Sequence, residues 1–164
     1  MMLSTALQNG FNEQIQKEFY SAYLYLAMAA HFEAANLPGF AHWMKKQAEE
    51  ERSHSMKLWD YVYDRGGKVE LKAIEQPPTA FGRPLEVFQL VLAHEKKVTA
   101  SINALYALAV QDGDVAAQIY LQWFVSEQVE EEKNVSLLIE QLKMSGDQGF
   151  ATLFMDKHVL GARK

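Results

Sequence analysis

The chain has 164 residues, with 21 acids against 16 bases and no cysteine. Zero Cys excludes a disulfide scaffold, thiolate metal sites and a cysteine nucleophile, and a net charge of -5 argues against a nucleic-acid-binding face. No apolar run approaches the ~20 residues of a membrane span. The opening Met1-Met2-Leu3-Ser4-Thr5 lacks the basic and long apolar parts of a secretory signal. A single cytoplasmic domain over 1–164 is expected, without nucleic-acid or membrane partners.

The nine glycines and four prolines are clustered, and they leave four long stretches without a breaker: about 11–37, 40–65, 85–112 and 114–145. Strands do not run that long; helices do. Their interiors are rich in Ala, Leu, Glu, Lys, Gln and Met, which favour helix. A fifth, shorter helix is expected at about 148–160, with Asp147 as its N-cap.

The linkers carry the topology. Asn36-Leu37-Pro38-Gly39 and Gln111-Asp112-Gly113-Asp114 are short, so each joins two antiparallel helices. The segment from about 67 to 83 is long, proline-punctuated and partly apolar. A helix of about 26 residues is roughly 39 Å long, and about 16 extended residues reach roughly 50 Å. The linker therefore spans the bundle and sets the second and third helices parallel. The predicted fold is all-α: a ferritin-like four-helix bundle with one long crossover and a short fifth helix.

Stepping in threes and fours gives a seam on each helix. The first carries Phe11, Ile15, Glu18, Ala22, Tyr25, Ala29 and Phe32, and the second Met44, Ala48, Glu51, Ser55, Leu58 and Val62. The third carries Phe88, Leu92, Glu95, Val98, Ile102, Leu105 and Ala109, and the fourth Leu121, Phe124, Gln128, Glu131, Val135, Leu138 and Leu142. Each apolar seam holds one glutamate near its middle. A lone case is more often a misphased seam than a site; four at one height are harder to dismiss. Buried carboxylates are costly unless they are protonated or share a cation.

His54 follows Glu51 by three residues and projects from the same face. Glu-x-x-His on a bundle helix is a di-iron ligand motif, weak alone but specific beside Glu18, Glu95 and Glu131. The expected pattern has Glu51 bridging two metals, with Glu18 and His54 on one and Glu95 and Glu131 on the other. Carboxylates, one imidazole and open positions suit redox-active iron.

Four runs resemble the bacterial non-haem ferritins. They are Asn12-Glu13-Gln14 leading to Glu18-x-Tyr20-Ser21, Ala48-Glu49-Glu50-Glu51-x-x-His54, His94-Glu95, and Ser126-Glu127-Gln128-x-Glu130-Glu131-Glu132-Lys133. The likeness covers essentially the whole chain. It implies a ferroxidase centre with Glu18, Glu51 and His54 at one site and Glu51, Glu95 and Glu131 at the other, Gln128 beside it. It implies a third iron site of Glu50, Glu127, Glu130 and Glu131, and a redox-active Tyr25 beside the centre. Trp123 stands where a second redox-active aromatic falls. It further implies Fe(II) oxidation by O2 or H2O2, a ferric oxyhydroxide store and a homo-oligomeric shell of 24 subunits. In that shell Phe150, Leu153, Phe154 and Leu160 of the fifth helix are covered by neighbours.

No haem is expected. Haem-binding relatives carry a second Glu-x-x-His on the fourth helix and a Met after the bridging glutamate; here those positions read Glu127-x-x-Glu130 and Arg52. Where animal ferritins carry pore acids, Gln118 and Leu121 stand. His31, His42, His94 and His158 have no partner at ligand spacing and read as surface or packing residues. The alternatives left open are another di-iron oxidase on the same bundle and a non-catalytic structural bundle with coincidental acids.

Overall fold

The computed structural model describes residues 2–146 and 148–164. Four long helices form: α1 (Thr5–Ala34), α2 (Pro38–Asp64), α3 (Pro84–Gln111) and α4 (Val115–Ser145). A short helix α5 (Gly149–Met155) continues into a π-helical turn (Asp156–Leu160). The N-cap expected at Asp147 lies outside the described residues. Among the described residues there is no strand, and no helix is long and apolar enough to cross a membrane.

Local chemistry sets the helix ends. Ser4 Oγ accepts the Leu7 N–H at 3.1 Å, so α1 starts six residues before the expected boundary at 11. Gly10 does not break α1. It admits α3 instead, since a Cβ there would lie 2.8 Å from Leu105 Cδ1. Pro38 and Pro84 open α2 and α3, where a missing N–H costs nothing. Asp114 caps α4 by accepting the Ala117 N–H at 2.9 Å.

The crossover is strapped along α1. Asn12 Nδ2 donates to the Lys68 carbonyl at 3.0 Å, Gln16 Nε2 to that of Ala73 at 3.2 Å, and His31 Nε2 meets that of Gly82 at 2.7 Å. At one end of the bundle Arg65, after α2, pairs with Asp114 at the start of α4. At that same end Ser4, before α1, donates to Asp112 after α3. The C-terminal ends of α2 and α3 therefore share one end, and the two helices run parallel as the linker length requires.

Every predicted seam position is buried except Leu92, which is half-buried. The core nevertheless falls into two clusters. One holds Phe32, Phe40, Phe88 and Leu142, the other Phe11, Leu58, Ile102 and Leu121. Fully burying each such side chain contributes about 1.5–3 kcal/mol. Between the clusters, at the same level on all four helices, lie Glu18, Glu51, Glu95 and Glu131, all buried. An unpaired buried ion costs several kcal/mol. The two apolar halves therefore carry the fold, and the polar band between them is a local cost.

Candidate metal centre

Glutamine precedes glutamate by one helical turn on both helices of the first hairpin, which brings each amide onto the carboxylate's face. Gln14 Nε2 donates to Glu18 Oε1 at 2.7 Å. Gln47 Nε2 donates to Glu51 Oε1 at 3.3 Å and reaches across to Glu131 Oε2 at 2.9 Å. His54 Nδ1 lies 3.1 Å from Glu51 Oε2. From α1 the Tyr25 hydroxyl reaches across to the facing hairpin and donates to Glu95 Oε1. Gln128 Nε2 donates to Glu95 Oε2 at 3.1 Å and to the Glu95 carbonyl at 3.3 Å.

These donors do not saturate the acids. Glu18 Oε2 is buried without a hydrogen-bond partner among the described residues. Burial raises the Glu18 pKa well above the carboxylate range, and the Glu51 charge raises it further. Burial, then Glu95 and Glu131, do the same to Glu51. Burial also raises Glu95, and with the Glu95 charge it pushes Glu131 up to about 7. Tyr25 is raised well above its usual value by burial and then by Glu95. In a buried site crowded with acids, the ionised form of each carboxylate is disfavoured, and a bound cation would offset that cost.

Among the described residues, two triads have ligand atoms close enough to hold one ion each, all within 4.8 Å of one another: Glu18, Glu51 and His54, and His54, Glu127 and Glu131. The first is the expected first site. Glu95 falls in neither triad; Tyr25 and Gln128 donate to its carboxylate. Glu127 lies 3.7 Å from His54 Nε2. The remaining acids expected at a third site diverge: Glu130 is exposed, and Glu50 is drawn aside by Arg163 Nη2 at 2.7 Å. Trp123 is 39% exposed, with its ring 5.5 Å from that of His54. A cleft of about 580 Å³ lined by Gln16, Lys17, Tyr20 and His94 lies between α1, α3 and the crossover. No residue of either triad lines it.

A match to the ferritin-like domain family spans residues 8–145. The chain belongs to the ferritin family. A relative named bacterial non-heme ferritin from Bacteroides fragilis is 44% identical over 162 residues, covering 99% of this chain and 100% of that one. Another of that name, from Staphylococcus haemolyticus, is 41% identical over 99% and 97% of the two chains. A solved structure described as a novel open pore ferritin from the hyperthermophilic archaeon Archaeoglobus fulgidus superposes with a TM-score of 0.96. It is 44% identical and covers 99% of both chains.

Within this ferritin fold, Gln14, Gln47 and Arg163 are contacts that the residue pattern alone does not single out. The glutamines had a signal, the Gln-x-x-x-Glu spacing on α1 and α2; Arg163 had none. The other histidines pack as expected. His94 meets Ser21 Oγ at 2.8 Å and burial lowers its pKa to about 4, while the His158 ring lies tilted against that of Phe154. Leu121 is core, and Gln118 donates to the Ala109 carbonyl at 3.2 Å. Leu160 is buried within its own chain rather than left for a neighbour, while Phe150 is 82% exposed.

Proposed function

We propose that this chain, one domain over 1–164, takes Fe(II) as substrate and oxidises it with O2 or H2O2. The product is stored as a ferric oxyhydroxide mineral inside a cytoplasmic shell of 24 copies. The observation that carries the reading is the polar band: one buried glutamate from each of four helices, none able to ionise cheaply, and Glu18 Oε2 left without a donor. That donor set fits iron, a cation with a preference for oxygen and imidazole.

The roles follow from position. Glu18 and His54 hold one iron, Glu95 and Glu131 the other, and Glu51 lies between them. Gln128 and Tyr25 set the orientation of Glu95. Gln14 and Gln47 do the same for Glu18 and Glu51. Bound Fe(II) favours the ionised carboxylates, and two iron ions each lose one electron, reducing O2 to peroxide or H2O2 to water. Glu50, Glu127, Glu130 and Glu131 are the acids of a third iron site beside this pair.

Storage needs an enclosed space, which one bundle lacks. The exposed Phe150, Leu153 and Phe154 supply apolar surface for neighbouring copies to cover.

Stopped-flow oxidation in Glu51→Ala and His54→Ala tests the centre. Loss of the fast phase with the assembly intact is expected, whereas wild-type rates would remove the catalytic assignment. Gel filtration followed by aerobic Fe(II) addition tests storage: a monomer that leaves iron to precipitate would overturn it.

A further inference from the structure

The C-terminal turn is seated on the first turns of α2. Asp156 Oδ1 accepts the Phe40 N–H at 2.8 Å, Leu160 is fully buried, and His42 Nε2 meets the Arg163 carbonyl at 2.6 Å. This anchoring lays the Arg163 side chain along Trp43, Gln47 and Glu50, one stripe of α2 at helical spacing. The guanidinium carbon sits 4.5 Å from the centre of the Trp43 ring. Nη1 donates to the Trp43 carbonyl at 3.2 Å and to Gln47 Oε1 at 3.0 Å, and Nη2 donates to Glu50 Oε2 at 2.7 Å.

A guanidinium can only donate. It therefore requires the oxygen of the Gln47 amide to face it, which turns the nitrogen toward the centre. That nitrogen is the one donating to Glu51 and Glu131. A reversed amide would set its NH2 against the guanidinium and its oxygen against two carboxylates. Trp43 and Glu50 hold the guanidinium; the guanidinium holds the amide; the amide aims oxygens from two different helices.

We propose that Arg163 is a positioning residue for the metal centre, acting through Gln47 on Glu51 and Glu131. The proposal rests on the reading of those two acids as iron ligands. The tail thereby couples its own seating to the geometry of a site 112 residues away in sequence from Arg163 at Glu51.

Co(II), which binds without turning over, is the probe. It is titrated by its visible absorption into the assembled wild type, Arg163→Ala, Arg163→Lys, Gln47→Ala and the double Gln47→Ala/Arg163→Ala. Direct hydrogen-bond partners of metal ligands are worth roughly 10–100-fold in affinity. One step further out, Arg163→Ala is expected to weaken Co(II) binding about threefold to tenfold and to shift the absorption bands. Arg163→Lys, with a single-point charge, restores part of the loss.

Because the two residues act in series, the double variant binds no more weakly than Gln47→Ala alone. Wild-type affinity and spectrum in Arg163→Ala, or losses that multiply in the double, overturn the proposal and leave Arg163 as a tail anchor. If Arg163→Ala fails to assemble, Arg163→Lys decides: an unchanged Co(II) spectrum counts against the proposal and a shifted one supports it. A wild type that binds no Co(II) overturns the reading of the centre itself, a separate result.

Discussion

The Tyr25 hydroxyl donates to Glu95 Oε1 in a fully buried contact. It supplies one of the few donors that keep this carboxylate tolerable, since burial already raises the Glu95 pKa. Tyr25→Phe removes the donor without opening a large cavity. A hydrogen bond to a charged group is worth about 1.5–3 kcal/mol, so Glu95 holds its proton more tightly in the variant. The expected outcome is slower Fe(II) oxidation, with the deficit larger at pH 6 than at pH 8. Stopped-flow traces at the two pH values check it; an equal deficit at both would place the role of Tyr25 elsewhere, as in electron donation.

The acids of the band also fix the sign of a pH effect on the metal-free protein. Glu18, Glu51, Glu95 and Glu131 all have raised folded-state values, that of Glu131 reaching about 7. Between the unfolded carboxylate range and those values the native state binds more protons than the unfolded chain. Stability from these groups is therefore full at low pH and falls as pH rises through the folded values. Bound metal reverses the sign, because the ligands must be deprotonated. Zn(II), which is redox-inert, is expected to raise the unfolding temperature more at pH 8 than at pH 6. Calorimetry with and without Zn(II) tests this, and uptake without proton release would contradict it.

Arg65 and Asp114 link the two hairpins through paired bonds of 3.2 and 2.7 Å, with side chains only 10% and 8% exposed. The Arg65 guanidinium holds the Asp114 carboxyl below its usual range. The stabilisation is present above the unfolded carboxylate pKa and lost as pH falls through the depressed value. Asp114→Ala deletes both the ion pair and the α4 cap. Hydrogen bonds to a charged group contribute about 1.5–3 kcal/mol, and the cap is worth roughly 1. A lowered denaturation midpoint with Fe(II) oxidation per folded subunit unchanged is expected. Loss of oxidation at full stability would mean that this end of the bundle reaches the centre.

Much of this was legible in sequence because it is periodic. Glu18, Glu51, Glu95 and Glu131 interrupt apolar seams at matching heights, and the bundle brings them together as the spacing requires. The linker from 67 to 83 dictates parallel α2 and α3 by length alone. What escaped depends on contacts between distant elements. Gly10 resembles a breaker until Leu105 of α3 is seen against it. The acidic runs at Glu50 and Glu130 look alike in sequence, yet Arg163 captures Glu50 while Glu130 stays exposed. Nothing local to Arg163 points to Gln47.

Gly39 is the second glycine whose role only the tertiary contact reveals. A Cβ on it would lie 1.8 Å from the Asp156 carbonyl oxygen, which is backbone and cannot swing aside. Gly39→Ala therefore pushes the C-terminal turn off α2, breaking the Asp156 bond to the Phe40 N–H. Overpacking of this kind costs about 1–3 kcal/mol, and it falls on the tail because the helical glycine sits in a long, well-packed element. Hydrogen exchange should show lost protection across 156–163 with α1, α3 and α4 unchanged. Since Arg163 leaves Gln47 when the turn lifts, the variant is also expected to reproduce the weakened Co(II) binding of Arg163→Ala. A displaced tail with wild-type Co(II) affinity would show that the centre does not depend on its seating.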